Sequence, residues 1–155
     1  MEMKCWLELQ SDLVENKTGD HNRCEANYQA TNNGFSISWE EIAEESSMVI
    51  HSYMNWDNHK QRLTVSRKSE RETKLSFIEK KETTFHVGTE FGIFDGTIQT
   101  HQIKIQKNEK LLSYCVFIDY DLVFQQQTPQ RNKMEMFFGF LEEKHFFQES
   151  SRILA

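Results

Sequence analysis

Proline is nearly absent from this chain of 155 residues, with one in all, and glycine is scarce at six. That excludes a collagenous or low-complexity protein and leaves no flexible linker at which to divide the chain. Cysteine is confined to Cys5, Cys24 and Cys115. An odd number, far apart and without a C-x-x-C pair, argues against a disulfide framework or a thiolate metal site and reads as free thiols in a reducing cytosol. No long apolar run is present, and the N-terminal MEMKCWLELQ alternates instead of forming a signal peptide or a membrane span. The expectation is a cytoplasmic protein with no membrane partner. Basic residues are outnumbered 18 to 24, giving a net charge of -6, so the summed field argues against nucleic acid as a partner. The length suits one domain with a core of its own.

What the chain has instead is alternation. In Leu111 to Phe124, Tyr114, Val116, Ile118, Tyr120, Leu122 and Phe124 fall on every second residue with Ser113, Asp119 and Asp121 between them, the period of a strand with one buried face. The pattern recurs in Cys5-Leu7-Leu9, Cys24-Ala26-Tyr28-Ala30, Phe35-Ile37-Trp39, Ser52-Met54-Trp56, Leu63-Val65, Leu75-Phe77, Phe85-Val87 and Met134-Met136-Phe138. Asn32-Asn33-Gly34 and Asp57-Asn58 mark turns, the first of them read as supplying positive φ. Asp12 to Asn22 and Glu41 to Ser47 read as loops. Between Phe94-Ile98 and Ile103-Ile105 the inward parity switches, and Gly92 and Gly96 point to a bulge in the first half of that segment. The sum is an all-β protein, a closed antiparallel, mainly up-and-down barrel of about 8-10 strands over residues 1-140. The remaining 141-155 are a tail, short helix or disordered, with Phe146 and Phe147 amid charge.

Certain phrases carry a resemblance. Phe35-Ser36-Ile37-Ser38-Trp39-Glu40-Glu41, Arg67-Lys68-Ser69, Phe91-Gly92 followed by Thr100, and Asp119-Tyr120-Asp121-Leu122 follow one another in the order of the YwiB-like family of domains of unknown function. Trp39 stands where that family has Tyr, and Ser69 where it has Gly. The resemblance implies a calycin-like, lipocalin-type barrel and no established activity.

Chemistry is harder to find. Asp119 and Asp121 share a face, but by parity it is the outer one and reads as solvated. The six histidines show no His-x-His or His-x-x-x-His spacing, so no metal and no cofactor is expected. No phosphate loop or nucleophile elbow occurs, and no catalytic residues are assigned. Eight basic and three acidic residues lie between Lys60 and Lys81, making one set of hairpins basic on an acidic body. Arg67 continues the inward parity of Leu63 and Val65 at a strand end. There it either caps the barrel mouth on carbonyls or a carboxylate, or holds an anionic group. With Tyr28, Trp39, Tyr114 and Tyr120 in the wall, Arg67 defines the expected ligand site, for a small apolar or amphipathic molecule inside the barrel. The alternative is a protein- or RNA-interaction module acting through the outer surface and basic hairpins, or a homodimer formed through Phe117, Phe137, Phe146 and Phe147. An enzyme is not expected.

Overall fold

The structure, a computed structural model, describes residues 2-13, 19-42, 48-124 and 127-153. Ten antiparallel strands form a ring in chain order: β1 (Glu2–Leu13), β2 (Gly19–Thr31), β3 (Gly34–Ile42), β4 (Val49–Asp57), β5 (Arg62–Lys68), β6 (Glu72–Ile78), β7 (Glu82–Thr89), β8 (Gly92–Asn108), β9 (Ser113–Phe124) and β10 (Gln130–Gly139). β10 pairs with β1 from Trp6↔Gly139 to Leu13↔Asn132, which closes the barrel and leaves no edge strand among the described residues. The fold is therefore the closed up-and-down antiparallel barrel that the alternation predicts, with one helix, α1 (Glu143–Ile153), lying against β1 on the outside.

The inward parity gives a continuous core. Leu7, Ile37, Met54, Leu63, Phe77, Phe85, Ile98, Ile118, Met136 and Phe138 are all fully buried and fill the middle of the barrel. Burying such a side chain contributes about 1.5–3 kcal/mol, and these ten residues come from nine different strands, so the core itself holds the ring closed.

Several local features depart from the reading of the sequence. The bulge in β8 falls between Thr100 and Gln102, not near the glycines. One extra residue, His101, turns the parity from Ile98 and Thr100 to Ile103 and Ile105. Gly96 serves close approach instead: a Cβ there would lie 2.5 Å from the ring of Phe85 and 2.7 Å from the carbonyl of Val123. Asn32, Asn33 and Gly34 make their turn without positive φ. Gly34 is needed because a Cβ would come 2.0 Å from the Trp56 carbonyl oxygen. Asp12, Leu13 and Gly19–Asn22 are strand, not loop, because backbone pairing from Gln10↔His21 to Asp12↔Gly19 does not require apolar side chains. Glu41 and Ile42 likewise end β3; the rest of the expected loop, 43-47, lies outside the described residues.

Helix α1 makes a second, smaller core on the outer face. Phe146 stacks on Phe137 at 4.8 Å, and Phe147 meets Trp6 edge-on at 5.8 Å. Phe137 and Phe146 are thus buried within the chain and cannot form the expected dimer surface. No helix among the described residues is long and apolar enough to cross a membrane.

Candidate functional site

The two ends of the barrel differ in chemistry. At one end gather the β2–β3, β4–β5, β6–β7 and β8–β9 turns, and here aromatic rings collect. Tyr28 stacks on Tyr114 at 5.9 Å and on Phe35 at 6.0 Å, and meets Phe140 edge-on at 5.2 Å. Tyr114 in turn stacks on Phe138 at 5.0 Å. Burial, followed by hydrogen bonding to Tyr114, pushes the Tyr28 phenol up to about 12, so its hydroxyl is a neutral hydrogen-bonding group at ordinary pH.

Around these rings opens a cavity of about 620 Å³. Its lining is Tyr28, Phe35, Trp56 and Tyr114, with Ile105 and Gly34, and a polar rim of Asn32, Asn33, Asn58 and His59. Among the described residues no Asp, Glu, Lys or Arg lines it, although 42 of the 155 residues are of those types, and Lys107 stands beside it with its ammonium 5.8 Å from the centre of the Tyr114 ring. Trp56, Asn58 and Ile105 continue into a second hollow of about 300 Å³ bounded by Gln61, Glu79 and Ile103. The fully buried Leu63, Ile37 and Phe138 lie beneath this mouth, so it is a basin with a packed floor and not a channel.

The rim is held by its own turns. The Asn58 N–H donates to the Asn33 carbonyl at 2.6 Å, tying two hairpins together. Asp57 Oδ1 accepts from the His59 and Lys60 N–H groups at 2.9 and 3.0 Å, and those backbone donors, the Lys60 one first, hold its carboxyl below the usual range. Gln61 adopts a left-handed backbone, φ 52°, a strained state that costs a non-glycine residue roughly 1–2 kcal/mol. Its side-chain amide donates to the carbonyl and to Oδ1 of Asn58.

At the opposite end the mouth is ionic. Glu41 accepts from Trp39 Nε1 at 2.8 Å through one oxygen and from Arg67 at 2.8 Å through the other. Arg67 thus lies on a carboxylate at the rim, its guanidinium half exposed. In register Ser52 pairs with both Trp39 and Arg67, and its buried hydroxyl has no hydrogen-bond partner among the described residues.

The five residues singled out from the sequence therefore do not form one site. Tyr28 and Tyr114 meet at the aromatic mouth, whereas Trp39 and Arg67 meet at the ionic one through Glu41. Tyr120 is inside, 4.8 Å from Phe77 and edge-on to it, and burial pushes its phenol up to about 12. Parity assigns a residue to a face but not to a height along the barrel axis. Trp56, Phe35, Asn33, Asn58 and Glu41 were not singled out as site residues. A signal for them existed in the carboxamides Asn33 and Asn58, each placed at a turn beside an inward aromatic.

The outer face also corrects the sequence reading. Asp119 points outward but is only 7% exposed, because Arg131 covers it with two hydrogen bonds of 3.0 and 2.7 Å. Those bonds hold its carboxyl below the usual range against the effect of burial. Asp121 lies 2.9 Å from His101. Glu8, 3% exposed, accepts from Ser150 of α1 at 2.7 Å and from Arg23 at 2.8 Å, with His21 Nε2 at 3.1 Å. Burial alone would raise its carboxyl, but these three partners outweigh burial and lower it. The Ser150 hydroxyl lies within hydrogen-bond distance of the Glu8 carboxylate and of the Phe147 carbonyl oxygen, 3.2 Å away in its own helix. Among the described residues, no three His, Cys, Asp or Glu side chains converge as a metal site.

Fold and mouth together define a closed ten-stranded barrel with one open, uncharged, aromatic basin. The sequence model of the family described as "Domain of unknown function (DUF1934)" matches residues 10-136, most of the chain, and the protein belongs to that family. Among solved structures it is similar to the crystal structure of the ywiB protein from Bacillus subtilis. The TM-score is 0.72 at 15% identity, covering 89% of this chain and 92% of that one, a likeness of fold. No curated protein matches the sequence.

Proposed function

We propose that this protein is a cytoplasmic binding protein, not an enzyme, that takes a small amphipathic ligand at the aromatic mouth of a lipocalin-like barrel. The observation that carries the reading is the 620 Å³ basin lined by four aromatic side chains and rimmed by carboxamides. Its volume lies in the range of small-molecule sites, and a few polar groups around apolar walls are what orient such a ligand. The ligand sits at the mouth and not in the interior, since large side chains occupy the middle of the barrel. Cys5, Cys24 and Cys115 are free thiols, which supports a reducing compartment.

Native mass spectrometry of the purified protein tests this. A small molecule retained by the wild type and lost from Trp56→Ala and Tyr114→Ala, with far-ultraviolet dichroism unchanged, is the expected result. Retention that is indifferent to both substitutions counts against the aromatic mouth.

A second reading, an interaction module acting through the outer surface, has one observation in its favour. The β7–β8 hairpin exposes Phe91 (84%) and Ile93 (74%), and a Cβ on Gly88 of β7 would lie 3.1 Å from Cβ of Arg71, at the end of the basic β5–β6 hairpin. Exposed apolar tips beside cations suit a macromolecular partner. Charge reversal at Lys68 and Arg71 that releases a co-purifying macromolecule would favour it.

A further inference from the structure

We infer that the aromatic mouth recognises a neutral pyranose of a glycoside, with the indole of Trp56 as the platform; the inference rests on the binding reading above and specifies its ligand. The faces of Tyr28, Tyr114, Phe35 and Phe138 are largely engaged with one another, as their mutual contacts of 5.0 to 6.0 Å show. Trp56 makes no ring contact of this kind among the described residues, is half-buried, and is shared by the 620 and 300 Å³ hollows. It is the aromatic side chain that lines both hollows, with part of its surface packed against the core.

The ligand's chemistry follows from three properties of the site. An aromatic face is negative and attracts the weakly positive C–H hydrogens of a sugar face. Hydroxyls radiating from the edge of that ring each need both a donor and an acceptor, and carboxamides supply the two together. Asn33 and Asn58 stand on hairpins joined by the Asn58 N–H to Asn33 carbonyl bond, so they are positioned before a ligand arrives. Gln61 donates to Oδ1 of Asn58, which fixes the orientation of that carboxamide at the rim.

The alternatives fit less well. A nucleotide brings phosphate, and among the described residues the cation established beside the 620 Å³ basin, Lys107, is held over the ring of Tyr114 at 5.8 Å instead of in the lining of the basin. An acyl chain needs a deep apolar channel, and the floor is closed by side chains with no exposed surface. The adjoining 300 Å³ hollow, sharing Trp56 and Asn58 and carrying Glu79, gives a second sugar ring a place. A disaccharide is therefore expected to bind more tightly than a monosaccharide.

Proton–nitrogen correlation spectra of the full chain test this through the indole N–H of Trp56, assigned by its loss in Trp56→Phe. The probes are methyl β-glucoside, methyl N-acetyl-β-glucosaminide, a β-1,4-linked disaccharide of each, adenosine and dodecanoate. Expected is a saturable shift of the Trp56 resonance with at least one glycoside, tightened severalfold in its disaccharide. Asn58→Ala should weaken binding severalfold and Trp56→Ala, followed through the Gly34 backbone amide because that variant lacks the indole reporter, by about tenfold or more, with Arg67→Ala at the other mouth leaving it unchanged. Saturable binding of adenosine or dodecanoate at Trp56 without any glycoside overturns the glycoside inference and leaves the binding reading standing. A Trp56 resonance that no probe moves overturns both.

Discussion

The two mouths of the barrel are built from the same alternating strands, yet one is open, neutral and aromatic and the other is spanned by a carboxylate joined to an indole and a guanidinium. At the aromatic mouth the rings stack on one another and leave a basin whose lining is uncharged. At the ionic mouth Glu41 ties β3 to β5 through Arg67. The first is held by packing, which is insensitive to salt, and the second by a partly exposed ion pair, which is weak and screened. The comparison teaches that closure of a barrel and openness of a site are separate matters. The ring closes through all ten strands, although β6 and β7 pair only at Thr73↔Val87 and Lys74↔His86, and the side chains at the rim decide what each end admits.

The sharpest way to break the contrast is at the floor of the aromatic mouth. Phe138→Ala removes a fully buried ring that touches Tyr28, Phe35 and Tyr114, and should lower stability by about 3–5 kcal/mol in urea unfolding. A loss below about 1 kcal/mol would show that these rings do not act as one packed cluster.

Next in size is the ionic anchor of α1. Glu8→Ala leaves Ser150 and Arg23 without their carboxylate and should cost about 1–3 kcal/mol, with helix dichroism melting before the strands. Acid should act on the same group. The Glu8 carboxyl is held below its ordinary value of 4.5 in the folded protein, so the unfolded chain takes up the proton first as pH falls. Its stabilisation is complete above that ordinary value and is lost as pH drops through the lower folded one. A helix signal that is flat through this range in the wild type would remove the anchor from the account.

The smallest effect is expected at the ionic mouth. Arg67 is half exposed, so Glu41→Gln and Arg67→Ala should show a coupling energy of no more than about 1 kcal/mol in a double-mutant cycle, reduced by salt. A larger, salt-resistant coupling would mean that this mouth is as firmly built as the aromatic one.

Much of the barrel was legible because its signal is local. Cys5-Leu7-Leu9 or Phe35-Ile37-Trp39 declares a face within five residues, and short polar links declare hairpins. The site was legible only in part. Tyr28 and Tyr114 were named and do meet, but they were grouped with Trp39 and Arg67, which lie at the other end. Parity has no memory of how far along the axis a residue stands, and 86 residues separate Tyr28 from Tyr114 in the chain.

What the sequence determined by itself is the alternation, the order of the hairpins and the inward set that fills the core, because a period of two is imposed by the pleat of each strand alone. Only the tertiary structure decided the rest. The pairing of β1 with β10, the bulge at His101, the burial of Glu8 and Phe137 under α1 and the gathering of Trp56 with Asn33 and Asn58 depend on contacts between remote segments. They are fixed when ten strands close on one core and their relative heights can no longer slide.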